Sequence, residues 1–134
     1  MDDKELLETA REAVDDSYAP YSEYRVGAAI ETEDGTVYTG CNIENANYSN
    51  SIHAEELAIS KAIEAGHRSF VRIAVSSSKR DGITPCGMCR QSLREFCDDD
   101  LRIVCENETD PEGEPVVHTL GELLPDSITP ETLE

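Results

Sequence analysis

The sequence predicts an α/β fold, a mixed β-sheet covered by helices, and three observations carry that prediction. Apolar spacing switches along the chain between the helical period and the strand period. Asp34-Gly35 sits between two β-prone runs as a hairpin turn. Strand-like runs stand on both sides of each of two later helices, which calls for crossover connections within one sheet.

The elements follow in order. "DDKELLETAREAVDDSYAP" has Asp near its start, Leu6, Leu7, Ala10, Ala13 and Val14 at helical spacing, and Pro20 beyond its end, predicting a helix that ends near Tyr18. "YRVGAAIETEDGTVYTGCNIEN" predicts the hairpin. From His53 to about Ala65 the pattern is helical, with Ala54, Leu57, Ala58, Ile59 and Ile63 apolar and Gly66 placed to terminate it. "FVRIAVSSS" reads as a strand, "CGMCRQSLREFC" after Pro85 as a third helix, "LRIVCE" as a strand and "PVVHTL" as a weaker one.

A chain of 134 residues with no internal repeat or low-complexity linker predicts one domain over 1–134, its last ten or so residues fraying or folding over a neighbour. The start "MDDKELLETAREAV" is acidic where a signal peptide is basic, and no apolar run approaches the length of a membrane span. A cytoplasmic protein is the expectation. Five cysteines, an odd number, suit a reducing compartment, and Cys41, Cys97 and Cys105 lie in apolar segments where thiols act as small hydrophobes. The formal charge of -18, from 29 acidic and 11 basic residues, opposes a nucleic acid polymer as partner. Such a surface also suits a halophilic host, because molar salt shrinks the Debye length to about 3 Å.

Chemistry concentrates in "HAEE" and "PCGMCRQ". Cys86 and Cys89, at i and i+3 on the opening of a helix, can reach one metal ion, and the helix N-terminus favours thiolate. Alone, such a pair serves equally as a redox couple or as half of a zinc ribbon. His53 offers a third ligand, and three protein ligands leave a tetrahedral position open, the mark of a catalytic zinc rather than a structural one. Glu55, two residues on, can face water at that position without coordinating the metal. H-x-E followed by P-C-x-x-C is the signature of zinc-dependent nucleobase deaminases.

The chain resembles the small, homotetrameric, zinc-dependent cytidine deaminases of pyrimidine salvage. The resemblance runs from about Glu5 to Pro125 through "YAPYSEYRVGAAI", "GCNIENANYSNSIHAEE", "PCGMCRQSLREF" and "TLGELLP", in family order and spacing. It implies a three-layer α/β/α sandwich around a five-stranded mixed sheet, one Zn²⁺ per subunit and hydrolysis of cytidine, with 2′-deoxycytidine beside it, at a cyclic amidine C–N bond. His53, Cys86 and Cys89 then hold the metal, and Glu55 passes protons from water to N3 and to the departing amine. Asn42 and Glu44 hold the ribose; without the resemblance both read as turn formers. Ala54 contacts the pyrimidine through its backbone, Tyr48 reaches a neighbouring subunit's site, and Tyr24 stands where the family usually has Phe, as a wall for the base. A carboxylate beside the sugar favours nucleosides over nucleotides.

The chain also departs from the family. Most tetrameric relatives carry Cys at the His53 position and Arg at the Glu56 position. His with two thiolates is already neutral on Zn²⁺, so a compensating Arg is not required. Arg90 is expected to donate to the thiolates. Ile128 replaces the C-terminal family aromatic, or nothing does, and His67 and His118 match no ligand position. Two alternatives remain: deamination of another base or of RNA, and a purely structural zinc site.

Overall fold

The computed structural model of the chain describes residues 1–133. Helix α1 (Asp3–Val14) opens with a capping box in which Asp2 accepts from the Glu5 N–H at 2.8 Å. Its Leu6, Leu7, Ala10, Ala13 and Val14 are all buried, as their spacing predicts. The helix stops at Val14 rather than near Tyr18, because Tyr18 joins its backbone to the segment after the hairpin: its N–H donates to the Asn42 carbonyl at 3.0 Å and its carbonyl accepts from Glu44 at 2.8 Å.

The sheet has five strands, β1 (Val26–Thr32), β2 (Val37–Cys41), β3 (Phe70–Ser77), β4 (Arg102–Cys105) and β5 (Val116–Thr119), in the order β2-β1-β3-β4-β5. Strand β1 runs antiparallel to both β2 and β3, β3 is parallel to β4, and β5 is antiparallel to β4. The predicted three-layer sandwich follows from side-chain alternation. Ala29, Ala74 and Val104 face α1 with Leu6, Leu7 and Ala10. Their neighbours Ala28, Ile30, Ile73, Val75, Ile103 and Cys105 face the opposite layer, built from α2 (Ala54–Glu64) and α3 (Gly87–Arg94). A short fourth helix, α4 (Leu120–Leu123), was not predicted. Cys41, Cys97 and Cys105 are buried, and among the described residues all five cysteines are free.

This topology positions the site. Strands β2 and β3 are both antiparallel to β1, so they point the same way, and the helices that follow them begin at the same end of the sheet. Gly40 lets α2 lie close on β2, since a Cβ there would run into the Ala54 carbonyl oxygen and the Ala58 nitrogen. Gly66, at φ 102° beyond the C-cap Ala65, ends α2 as its position predicts.

Candidate active site

Two helix starts meet at that end of the sheet. His53 is the N-cap of α2, in extended backbone (φ -83°, ψ 152°), and Cys86 is the N-cap of α3 (φ -68°, ψ 169°). Glu56 reaches back so that its carboxylate accepts the His53 N–H at 3.0 Å, fixing the turn that presents the imidazole. Cys89 lies one helical turn into α3 and is 1% exposed. The Nδ1 of His53 is 3.3 Å from the Cys86 sulfur and 3.4 Å from the Cys89 sulfur, and the three ligand atoms all lie within 4.8 Å of one another. They form the one such His/Cys/carboxylate cluster among the described residues.

The donor set fits zinc. Bond lengths of about 2.05 Å to nitrogen and 2.3 Å to sulfur at a tetrahedral angle put N and S about 3.6 Å apart, close to the separations observed. Burial, then the charges of Glu55 and Cys86, push the Cys89 thiol up, so the pocket by itself opposes a thiolate. A bound dication reverses that preference and draws the proton off.

Glu55, in the first turn of α2, is 6% exposed. Burial raises its carboxyl pKa against the pull of its own backbone N–H and of His53, while Glu56 adds to the rise. Burial thus favours the protonated carboxyl more than water does, which suits a group that must hold a proton and give it up.

His53, Glu55 and Cys86 line a cavity of about 530 Å³ whose walls include Tyr24, Asn42, Glu44, Tyr48 and Ala54. All five side chains expected to bind substrate therefore border one space with the metal cluster. Their hydrogen bonds sharpen the expectations. Asn42 spends its amide on the backbone, accepting from Val26 N–H at 2.9 Å and donating to the Tyr24 carbonyl at 2.8 Å, so it holds the strand entry that forms the wall. One Glu44 oxygen accepts the N–H groups of Tyr21 at 2.9 Å and Ser22 at 3.1 Å, and the other accepts the Ser22 hydroxyl. These donors, the Ser22 hydroxyl first, hold the Glu44 carboxyl below its usual range. Tyr48 is 74% exposed at the rim, its ring 6.0 Å from that of Tyr21.

Arg90 departs from expectation. Its guanidinium donates to the Pro85 carbonyl at 2.7 Å, the Leu123 carbonyl at 2.7 Å and the Thr84 hydroxyl at 2.9 Å, and these three bonds go to oxygen, not to sulfur. It clamps the loop ahead of Cys86 to the end of α4. Ile128 is exposed and outside the cavity lining, its carbonyl accepting from Gln91 at 3.1 Å. His67 lies beside the Tyr38 ring and His118 sits in β5, both away from the cluster. Sequence reading missed Ile83 and Thr84 as cavity walls, although both adjoin the Cys86 motif, and it missed Asp81, which accepts the Tyr24 hydroxyl.

Among the cavity-lining residues there is no Lys or Arg, and Glu44 and Glu55 are both acidic. Among the described residues no helix is long and apolar enough to cross a membrane.

Residues 1–105 match the family model of the cytidine and deoxycytidylate deaminase zinc-binding region. A cytidine deaminase of Sporosarcina psychrophila is 40% identical over 133 residues, covering 99% of this chain and 96% of its own. One from Halalkalibacterium halodurans is 39% identical, covering 99% and 98%. The crystal structure of cytidine deaminase from Burkholderia pseudomallei superposes with a TM-score of 0.87 at 42% identity, over 96% of this chain and 100% of that one.

Proposed function

This chain belongs to the zinc-dependent cytidine deaminase family, and from that premise we propose that it hydrolyses cytidine, and 2′-deoxycytidine with it, to the uridine nucleoside and ammonia. The observation that carries the reading is a His53, Cys86 and Cys89 cluster at one end of a nucleoside-sized cavity beside the buried Glu55. His53, Cys86 and Cys89 would hold the zinc, which when bound would supply a Lewis acid that activates water. Glu55 does the proton work: it accepts a proton as water adds to C4 and delivers it to ring N3, then takes the proton of the new C4 hydroxyl and gives it to the amine, so that the C4–N bond breaks, ammonia leaves and a C4 carbonyl remains. Ala54 and Tyr24 border the base, and Asn42 and Glu44 the sugar. A ribose hydroxyl would reach Glu44 through the oxygen lone pair left over from its loop contacts.

The absence of Lys and Arg from the cavity lining supports a nucleoside over a nucleotide, whose phosphate would meet two carboxylates and no cation. Cytidine incubated with the zinc-loaded protein is expected to lose its characteristic ultraviolet absorbance, and removal of zinc by a chelator to stop that loss. Zinc-loaded protein that leaves cytidine untouched would overturn the reading.

A cytoplasmic role in pyrimidine salvage, as a single-domain subunit of a homotetramer, completes the proposal. Tyr18, Tyr21, Ile43, Tyr48 and Ile52 are exposed apolar side chains on the segments that frame the cavity, a surface suited to a second copy. A net charge of -18 supports a salt-rich host. Light scattering together with thermal melts is expected to show a tetramer that gains stability between low and molar salt; a monomer at both, or a melting temperature indifferent to salt, removes the corresponding part.

A further inference from the structure

We propose that Asp81, which lies outside the cavity lining, is a positioning residue that sets the affinity of the nucleoside site by fixing Tyr24 and the loop between β3 and α3. The proposal rests on the nucleoside reading above. The Tyr24 hydroxyl lies 2.8 Å from each carboxylate oxygen of Asp81, and the Ser77 hydroxyl donates to one of them at 2.8 Å. Ser77 ends β3 and is 2% exposed, so it anchors Asp81 to the rigid sheet. Tyr24 borders the cavity. One exposed carboxylate thereby ties a cavity wall to the sheet.

The loop is shaped around this contact. Arg80 and Gly82, on either side of Asp81, both have positive φ, 49° and 75°. A left-handed Arg is an uncommon backbone state that surrounding contacts must hold in place. Downstream, Ile83 and Thr84 line the cavity, and Arg90 grips Thr84 and Pro85. The loop is therefore clamped at two points, by Asp81 against Tyr24 and Ser77, and by Arg90 against the end of α4, with Gly82 and Ile83 between them. Without the Asp81 clamp, the Tyr24 ring and Ile83 must be ordered when substrate enters, a cost that falls on binding. The reacting groups are carried separately, Glu55 and His53 by α2 and the thiols by the start of α3.

Three variants and one combination test this: Asp81→Ala, Asp81→Asn, Tyr24→Phe, and Asp81→Ala with Tyr24→Phe. Asp81→Ala is expected to raise KM for cytidine about five- to tenfold with kcat within twofold of wild type. Asp81→Asn, which keeps an acceptor oxygen, is expected to recover most of that loss. The double variant is expected to show no larger KM change than the larger single one, because both remove the same bond. Amide hydrogen exchange supplies a readout without substrate: the amides of Gly82, Ile83 and Thr84 are expected to exchange faster in both Asp81→Ala and Tyr24→Phe. An unchanged KM in Asp81→Ala, full additivity in the double variant, or unaltered loop exchange would each overturn the proposal. Wild-type protein inert toward cytidine would instead sink the substrate reading, and the exchange measurement would still decide for or against Asp81.

Discussion

Two buried glutamates are handled in opposite ways. Glu106, beyond the end of β4, is 2% exposed and fully engaged: it accepts the Ser76 hydroxyl at 2.6 Å, the Ser77 N–H at 3.3 Å and the Arg11 Nε at 3.1 Å. Glu55, at 6% exposure, lines the cavity and receives only its own backbone N–H from the protein around it. A buried carboxylate without partners is costly to the fold. Its place beside the His53, Cys86 and Cys89 cluster supports the chemical role proposed for it, whereas the bonds of Glu106 fit a structural one.

The sharpest way to break this contrast is to neutralise each in turn. Glu55→Gln is expected to lower kcat about 10³-fold, measured by cytidine absorbance, with zinc content unchanged. Its effect on stability should have the opposite sign. The folded protein holds the Glu55 proton more tightly than the unfolded chain, whose value lies near 4.5. That carboxyl therefore weakens the metal-free fold as pH rises from 4.5 toward its folded pKa, and Gln removes the penalty. Metal-free Glu55→Gln is expected to melt no lower than wild type at pH 7. Full activity in this variant would remove Glu55 from the mechanism.

Glu106→Gln inverts the pattern. Leaving Arg11 without its close anionic partner inside the fold is expected to cost about 3 kcal/mol of unfolding free energy by denaturant titration, with kcat for cytidine within twofold of wild type. Should Glu106→Gln abolish turnover in protein that remains folded, the division between a structural and a chemical carboxylate fails.

What the sequence disclosed follows the same division. The five apolar positions of α1 were legible because a helix bound to one sheet face imposes a single period, and all five are buried. The His53, Cys86 and Cys89 cluster was legible because all three sit at helix starts, where short motifs fix the geometry locally. The end of α1 was not legible, since it depends on Tyr18 pairing with residues after the hairpin, far along the chain. Asp81 was hidden for a similar reason: Asp81-Gly82 is a readable turn pair, but the contact of Asp81 with Tyr24 spans 57 positions. The acceptors of Arg90 were not legible either: the sequence sets the Cys86 and Cys89 thiols beside it in the chain, whereas the carbonyl of Leu123, at 2.7 Å, is brought to it only by the fold. The α4 cap, Thr119 with Glu122, did carry a readable capping-box signal that the strand pattern overshadowed.

The smallest expected effect concerns Glu56, which stands between the two kinds of carboxylate. It neighbours the chemical one in sequence, yet its observed bond is structural, to the His53 N–H at 3.0 Å. If that bond is its whole role, Glu56→Gln keeps the capping acceptor and leaves both stability and zinc retention unchanged, while Glu56→Ala costs about 1 kcal/mol. Because the capped turn also aims a metal ligand, Glu56→Ala is further expected to lose zinc faster than wild type to a competing chelator. A Gln variant that releases zinc as fast as the Ala variant would show that the negative charge, rather than the cap, is what His53 requires. Glu56 would then side with Glu55, as a group whose charge serves the metal site, instead of with Glu106.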